Sequence, residues 1–271
     1  MDDQPTSSKN NNIHIAELLT IADDFGLHRD INSGILDCIK QHRLTGISVS
    51  SNGKALDFSV LNDIKNKVEI GAHLTLVGEQ WITKPIFFKN WAALFSGIMT
   101  KKINVGDIEA ECRQQILSFI NHDIPLSHMD SHQHIHVFPL IWPIVKALQT
   151  EFLIPRIRVP FAPSLYSVKR SVGGVGLQYL AAQKKGEGFP CIGLRFSGRN
   201  TLDLLNKELR HIQKNDTYEW VAHPGVNSSA LQTAYGDWKY DWEMEKAVVM
   251  SERFLDVLSS HRCTLKLKQS S

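Results

Sequence analysis

The sequence predicts an α/β protein with a (β/α) barrel-like architecture, in which a mostly parallel sheet is surrounded by helices. Three observations favour this fold class. Apolar, strand-like segments alternate with helix-like segments along the chain, which is typical of parallel sheets. Several of the strand-like segments end in polar residues, and the carboxyl ends of barrel strands meet on one face. The length of 271 residues suits one barrel, because barrels of this size form single domains.

The first half of the chain contains four predicted strands, separated by helices. The strand-like segments are LLTIADD (18–24), GISVSS (46–51), VEIGAHLTL (68–76) and LSHMD (126–130). The helix-like segments are SGILDCIKQH (33–42), ALDFSVLNDIKNK (55–67) and GDIEAECRQQILSFINH (106–122), and FGLHRDIN (25–32) is expected to be a loop. In the third helix, the spacing of four apolar residues predicts one buried stripe, formed by Ile108, Cys112, Ile116 and Ile120.

The second half of the chain continues the alternation, with one interruption. Pro139 and Pro143 suit the first turn of the helix PLIWPIVKALQ (139–149), because proline is tolerated there and not deeper in a helix. Further strands are predicted at RIRVP (156–160), YEWVAHPG (218–225) and CTLKLK (263–268), and a weaker one at CIGLRFS (191–197). A long amphipathic helix is expected over EMEKAVVMSERFLDVLSSH (243–261), and KRSVGGVGLQYLAAQKKGEG (169–188) resembles an inserted loop.

Charge and cysteine content narrow the functional class. The formal net charge is +2 and there is no basic block, so we expect neither a nucleic acid nor a membrane as partner. The four cysteines are far apart and form no CxxC pair, which indicates reduced thiols. The first dozen residues are polar and lack a signal-peptide core. We therefore expect a disordered tail over residues 1–12, a single domain over 13–271 and a cytoplasmic location.

A cluster of four histidines in SHMDSHQHIHVFP (127–139) lies where a predicted strand gives way to a helix. In an extended strand, alternate side chains share a face, so Asp130, His132 and His134 would point one way and Ser131 and Gln133 the other. Metal ligands are presented in this manner. The alternative is a solvated loop in which the histidines have no common role.

Other polar residues stand at the ends of the remaining strands, at Asp23, Asp24, His73, Arg158 and His223. Each of these residues alone is weak evidence of a site. An Asp-Asp pair often caps a helix, and a single histidine among apolar residues often belongs to the core. Their coincidence at strand ends favours a site. Two histidines and one carboxylate from separate strands form a facial set for a divalent ion with open positions. A second carboxylate beside that set can act as a base.

The motifs TIADDFGLHRDINSGIL, GISVSSNG, GAHLTL, HMDSHQHIHVFP, RVP and HPG occur in this order and resemble the YdjC family of carbohydrate deacetylases. The resemblance runs from about residue 18 to beyond residue 223. It implies a barrel-like α/β fold and the metal-dependent removal of acetyl groups from N-acetylated sugars. The expected partner is thus a small N-acetylated sugar or oligosaccharide, with a homodimer left open, and the expected cofactor is one divalent ion, Mg²⁺ or Zn²⁺.

Residue by residue, the resemblance implies that Asp24, His73 and His132 bind the metal ion. It further implies that Asp23 is the general base and that His223 is the acid near the leaving amine. Arg158 is expected to pair with a catalytic carboxylate. The chain departs from the family at Gln133, where many members have a histidine; by alternation, this side chain should face away from the metal. Residues 163–199 match no family motif.

Two rival functions remain open at this stage. A metal-dependent phosphoesterase also uses carboxylates and histidines at barrel strand ends, but more often with several metals and a cationic phosphate cradle. A non-catalytic protein that binds a metal and a sugar would need no base or acid. For substrate binding, Trp81, Trp91 and Trp238 lie in loop-like segments and can stack on sugar rings, although such residues are more often part of the packing.

Overall fold

The computed structural model describes residues 15–168 and 172–268. The expected disordered tail, residues 1–12, lies outside the described residues, as do the first three residues of the insertion-like segment. Eight parallel strands form one sheet. They are β1 (Ala16–Phe25), β2 (Gly46–Val49), β3 (Glu69–Leu74), β4 (His128–Ser131), β5 (Arg156–Ile157), β6 (Cys191–Ile192), β7 (Thr217–Ala222) and β8 (Cys263–Leu265).

Ten α-helices connect or flank these strands in the described residues. They are α1 (Arg29–Lys40), α2 (Phe58–Ile64), α3 (Trp91–Met99), α4 (Val105–Ile120), α5 (Trp142–Glu151), α6 (Val172–Ala182), α7 (Leu202–Leu209), α8 (Ser229–Tyr235), α9 (Trp242–Met250) and α10 (Glu252–Ser260). Short 3₁₀ turns follow β4, β6 and α8. The expected stripe on α4 is buried except at its end, where Ile120 is exposed.

Seven strands follow one another in the order β5-β4-β3-β2-β1-β7-β6 and curve into a half-barrel, while β8 pairs with the start of β1. The two ends of this path approach each other, because the backbone N–H of Cys191 donates to the carbonyl of Phe161 over 2.8 Å. Arg158, just after β5, extends its side chain to Asp23 on β1 and Glu219 on β7. The concave interior is therefore polar, and it is spanned by one arginine.

The predicted fold class is confirmed. Several predicted helices and loops differ from the structure. The helix expected over residues 243–261 is two helices, because Ser251 adopts an extended backbone and its side chain accepts the N–H of Arg253 to cap α10. The insertion-like segment contains α6, and an unexpected helix, α3, begins at Trp91. α1 begins at Arg29, inside the expected loop, because the His28 side chain caps it.

Other boundaries also differ from the expectation. The helix after the histidine run begins at Trp142, so Pro143 lies in its first turn and Pro139 precedes it. The strands expected over residues 156–160 and 191–197 have only two residues each. β6 ends where Gly193 adopts a left-handed backbone with φ of 86° and a 3₁₀ turn begins. β5 is short but still brings Arg158 to the interior, where it contacts Asp23.

Candidate metal-binding and catalytic site

The aspartate doublet lies in an irregular part of β1 that separates its two carboxylates. The pairing register between β1 and β2 shifts between Ala22 and Phe25, and Asp24 has a left-handed backbone with φ of 70°. Such a conformation is uncommon for a residue with a side chain and typically marks a functional constraint. Because of it, both carboxylates are buried in the concave interior but contact different partners. Asp23 contacts Arg158, whereas Asp24 contacts His73 and His132.

The histidine run does not continue as a strand, so the alternation expected for it is wrong. β4 ends at Ser131, and Gln133 and His134 then adopt left-handed backbones with φ of 57° and 53°. Asp130 and His132 still face the interior, but His134 belongs to neither group of candidate ligands found in the described residues. The Gln133 side chain is exposed and accepts the backbone N–H of Trp91. It faces away as expected, because of the turn and not because of strand alternation.

Asp24, His73 and His132 form a buried group whose candidate ligand atoms all lie within 4.8 Å of one another. Asp24 Oδ1 lies 3.3 Å from His73 Nε2 and 3.1 Å from His132 Nδ1. Asp24 Oδ2 and His73 Nε2 are buried and have no hydrogen-bond partner in the described residues. Buried polar atoms rarely lack partners. Two imidazoles and a carboxylate with unsatisfied atoms thus fit a group that can bind a metal ion.

Neighbouring charges shift the pKa values of Asp24 and His73 in opposite directions. Burial would raise the pKa of Asp24, but the adjacent His132 and His73 hold it well below its usual range. Burial would lower the pKa of His73, yet the carboxylates of Asp130 and Asp24 raise it to about 10. The surrounding carboxylates thus favour a positive charge at this group, which a bound metal ion would supply.

Arg158 lies at the centre of the interior and contacts three carboxylates. Its Nη1 and Nη2 donate to the two oxygens of Asp23 over 2.6 and 2.8 Å, and Nη1 also lies 2.5 Å from Asp130 Oδ2. The Nε–H donates to Glu219. Burial would lower the pKa of Arg158, but Asp130, Asp23 and Glu219 raise it well above its usual value. The structure thus brings Arg158 to Asp23, as expected of a partner for a catalytic carboxylate.

A second group of candidate ligands, Asp23, His73 and Asp130, overlaps the first. Both of its carboxylates are already paired with Arg158. A guanidinium between two carboxylates repels a cation, so this second group is a poor metal site.

His223 follows β7 and lies beside a buried glutamate. Its backbone N–H donates to Glu245 Oε2 over 2.6 Å, and its Nδ1 lies 3.5 Å from the same oxygen. Burial would lower the pKa of His223, but Glu245 raises it. The loop after His223 is held close to α1, since a Cβ at Gly34 would lie 2.3 Å from the Cα of Gly225. This contact requires glycine at position 34, and a Cβ at Gly225 of the HPG motif would lie 2.9 Å from the Cβ of Trp242.

Three buried carboxylates of the site were not assigned roles by sequence reasoning. Asp130 contacts His73 Nδ1 over 2.7 Å, Glu219 contacts Arg158, and Glu245 contacts His223. Asp130 and Glu219 stand in strand-end motifs, and their charge within apolar strands was a usable signal. Glu245 lies on α9, 22 residues after His223 in the sequence, so only the tertiary packing reveals its contact.

The three tryptophans considered for sugar binding have different environments. Trp81 is buried, and its Nε1–H donates to the carbonyl of Leu76, so it belongs to the packing. Trp91 is exposed at the start of α3 and contacts Phe138. Trp238 is half-buried, and its ring lies 4.6 Å from the ring of His132. Tyr240, two residues later, lies 4.7 Å from the ring of His223.

Tyr240 also borders an open recess of about 480 Å³ next to the site. Polar side chains dominate its lining, including Arg199, Asn227, Gln232 and Asp241. A recess of this size is within the range of small-molecule sites. No helix of residues 15–168 and 172–268 is long and apolar enough to cross a membrane.

The chain is similar to known proteins in family, sequence and structure. A family described as YdjC-like protein matches residues 17–260. A carbohydrate deacetylase of Halalkalibacterium halodurans is 32% identical over 147 residues, covering 51% of this chain and 62% of the relative. One from Danio rerio is 28% identical over 162 residues, covering 55% and 51%. One from Listeria monocytogenes is 28% identical over 221 residues, covering 78% and 82%.

The matches to the first two of these relatives thus span between half and two thirds of the relatives' own lengths. Among solved structures, a candidate cellobiose-phosphate cleavage protein of Enterococcus faecalis V583 aligns with a TM-score of 0.69. It is 19% identical, and the alignment covers 94% of this chain and 98% of that protein. At this identity, the likeness supports the fold alone.

Proposed function

The chain belongs to the YdjC-like family, and from this premise we propose that it is a carbohydrate deacetylase. It hydrolyses the N-acetyl amide of an N-acetylated sugar or oligosaccharide and releases acetate and a free amine. The observation that carries this proposal is the buried group of Asp24, His73 and His132 next to a separate carboxylate, Asp23. Relatives named carbohydrate deacetylase support the choice of substrate class.

We assign Asp24, His73 and His132 as the residues that would hold one divalent ion, Mg²⁺ or Zn²⁺. Two imidazoles in a three-residue set suit Zn²⁺ better than Mg²⁺, which prefers oxygen ligands. When bound, such an ion polarises a carbonyl oxygen and lowers the pKa of water toward neutrality. The unsatisfied Asp24 Oδ2 and His73 Nε2 support this assignment.

The chain's own residues then provide the proton transfers. Asp23 accepts a proton from the attacking water, while Arg158 holds both of its oxygens and fixes its direction. His223 donates a proton to the departing nitrogen, and Glu245 favours the protonated imidazole that this role requires. A base on one side of the reacting carbon and an acid on the other each contribute to the rate. The oxygen of the attacking water ends in acetate, and the amine gains a proton.

For sugar binding, we assign Trp238 as the stacking residue, because it is half-buried and lies against the ring of His132. Tyr240 extends this aromatic surface from His223 to the polar recess. Sugar rings pair apolar faces with hydroxyl edges, so an aromatic surface beside amide and charged side chains suits them. Trp81 is excluded from this role by its burial.

The two rival functions are less well supported. A phosphoesterase with two metals would need a second set of free ligands, whereas Asp23 and Asp130 are paired with Arg158. A protein that only binds a metal and a sugar would need neither the carboxylate at Asp23 nor the acid at His223. The expected cytoplasmic location, the single domain over 13–271 and a homodimer also remain proposals.

The test is a parallel assay on metal-loaded protein with N-acetylglucosamine, its oligomers and their phosphorylated forms. Acetate, reducing ends and inorganic phosphate are measured in each reaction. The proposal predicts acetate release from at least one of these compounds. Release of phosphate or of new reducing ends without acetate would overturn it in favour of a phosphoesterase or a glycosidase, and binding without any product would favour the non-catalytic alternative.

A further inference from the structure

His128 is a buried imidazole that the proposed reaction does not use. It lies on β4 within the interior and is fully inaccessible to solvent. Its partner in the β3 pairing is Gly71, and a Cβ at Gly71 would lie 2.2 Å from His128 Nε2. Any side chain at position 71 would thus overlap the ring. The His128 ring therefore fits only because position 71 is glycine, and it lies two residues before Asp130 on the same strand.

The contact between Ser48 and Asp130 sets the direction of the hydrogen bond at His128 Nε2. Asp130 Oδ2 accepts, because the guanidinium of Arg158 also contacts it and can only donate. Ser48 Oγ, 2.7 Å away, donates its single proton to this oxygen. Ser48 Oγ must then accept from His128 Nε2, which lies 3.0 Å away. His128 consequently carries a proton on Nε2.

The opposite nitrogen of His128 agrees with this direction. Two groups face His128 Nδ1, namely Ser127 Oγ at 2.8 Å and Arg156 Nη2 at 3.3 Å. A hydroxyl can donate and a guanidinium can only donate, so both contacts suit an Nδ1 that accepts in a neutral ring. Burial and the positive charge of Arg156 both hold the pKa of His128 well below its usual value, which is consistent with a neutral imidazole.

On the side of Asp130, the series of hydrogen bonds reaches the candidate metal ligands. Asp130 Oδ1 lies 2.7 Å from His73 Nδ1, so that nitrogen carries a proton, and the Nε2 edge of the ring faces Asp24. A histidine that donates one N–H to a carboxylate directs its other nitrogen toward a metal. The contacts run without interruption from Arg156 through His128, Ser48 and Asp130 to His73.

Asp130 needs a second anchor because Arg158 contacts only one of its oxygens. Arg158 Nη1 lies 2.5 Å from Oδ2, the same oxygen that Ser48 contacts. The guanidinium binds both oxygens of Asp23 and donates its Nε–H to Glu219, so it has no second donor for Asp130. A carboxylate that is held at one oxygen can rotate, and this rotation would draw Oδ1 away from His73. The Ser48 hydroxyl, itself directed by His128, opposes this rotation by a second contact with Oδ2.

We propose that Ser48 and His128 are positioning residues that hold Asp130 in place, and that through Asp130 they aim His73 Nε2 at the metal ion. The inference rests on the proposed function, in which His73 is a metal ligand. Loss of such an outer hydrogen-bond partner typically lowers metal affinity by about 10-fold to 100-fold. Ser48 and His128 contact none of the three assigned metal ligands. Ser48 reaches them through Asp130 at 2.7 Å, whereas its contact with Arg158 Nη2 is longer, at 3.5 Å.

The experiment compares four variants with the wild-type protein. Ser48→Ala removes the donor to Asp130. His128→Asn removes the donor to Ser48, whereas His128→Gln retains an amide N–H close to the position of Nε2 and should rescue it. Ser50→Ala is the matched control, because Ser50 is a buried serine two residues along from Ser48 whose hydroxyl accepts from Thr75.

Two quantities are measured for each variant. The first is the Zn²⁺ dissociation constant, obtained by competition with a chromophoric chelator. The second is the ¹H–¹⁵N spectrum of the imidazole rings, recorded on metal-free and Zn²⁺-loaded protein. Ser48→Ala and His128→Asn should weaken Zn²⁺ binding by about tenfold or more, and should move the His73 Nδ1–H resonance and speed its exchange with water. His128→Gln and Ser50→Ala should resemble the wild type.

The outcomes separate this inference from the proposed function. Unchanged Zn²⁺ affinity and an unchanged His73 resonance in Ser48→Ala would overturn the inference, as would equal losses in His128→Gln and His128→Asn. If the wild-type protein binds neither Zn²⁺ nor Mg²⁺, the proposed function fails. The imidazole spectra of metal-free protein would still decide whether Ser48 and His128 position His73.

Discussion

Replacing Arg158 with methionine should destabilise the protein by about 3–5 kcal/mol at pH 7, the usual cost of removing one partner of a buried ion pair. The guanidinium is fully buried and contacts Asp23, Asp130 and Glu219, which are themselves buried. Methionine fills a similar volume, so the loss is electrostatic. Three carboxylates cannot stay charged together in that interior without it, and at least one must take up a proton.

The cost of that proton sets the magnitude and its pH dependence. Protonating a carboxylate costs about 1.4 kcal/mol for each pH unit by which the pH exceeds its ordinary pKa of about 3.9. If the variant must protonate one buried carboxylate in order to fold, its free energy of unfolding falls by roughly 4 kcal/mol at pH 7 and by roughly 1.5 kcal/mol at pH 5. In the wild-type protein, Arg158 depresses the pKa of Asp130, so this contribution to stability is present above the unfolded pKa and is lost as the pH falls. The gap between variant and wild type should thus widen with rising pH.

The assay is urea unfolding at pH 5 and pH 7, followed by far-ultraviolet circular dichroism. Arg113→Met is the matched control, because Arg113 pairs with Glu109 and Glu151 on the surface. Exposed pairs contribute about 0–1 kcal/mol, so this variant should change little at either pH. A variant at Arg158 that is as stable as the wild type at pH 7, or a loss that does not depend on pH, would refute the account of the interior.

Three further predictions address substrate, acid and stability. Trp238→Ala should raise KM by about tenfold, the scale of one lost stacking contact, with little change in kcat. The control Trp81→Phe should leave KM unchanged. An unaltered KM in Trp238→Ala would exclude the stacking role. Glu245→Gln should shift the alkaline limb of the pH–rate profile to lower pH, because Glu245 raises the pKa of His223, and an unmoved limb would exclude His223 as the acid. Burial raises the pKa of Glu208 from its usual 4.5 to about 7, so wild-type stability falls as the pH rises through this window. Chemical unfolding should find Glu208→Gln more stable than the wild type by up to about 3 kcal/mol at pH 7 and equal to it below pH 4.5; a constant difference would contradict this.

Sequence patterns were informative where a residue's role follows from its place at a strand end. The positions of Asp23, Asp24, His73 and His132 after successive parallel strands were enough to predict that they meet, and the structure brings them together. Arg158 was expected beside a catalytic carboxylate and contacts Asp23. Periodicity and strand order carry this information because the carboxyl ends of parallel strands share one face.

The errors arose where backbone conformation or tertiary contact decides the outcome. Gln133 and His134 adopt left-handed backbones, so a run of histidines that resembles strand alternation forms a turn instead. Residues 172–182 were expected to belong to an inserted loop but form α6, although the glycines in the first half of this helix have low helix propensity. Asp130 and Glu245 could not be assigned partners, since the contacts are made across 57 and 22 residues of sequence. Ser251 was a missed signal, because serine before two charged residues is a common helix cap.

The measurement that tests the central claim most directly is bound metal and acetate release, determined together on the same samples of wild type, Asp23→Asn and His132→Ala. The account predicts about one divalent ion and acetate release for the wild type. It predicts retained metal with turnover lower by roughly 10²-fold to 10⁴-fold for Asp23→Asn, and a folded protein with neither metal nor activity for His132→Ala, with His134→Ala keeping its metal. Full turnover in Asp23→Asn, or metal lost from His134→Ala but kept by His132→Ala, would contradict it.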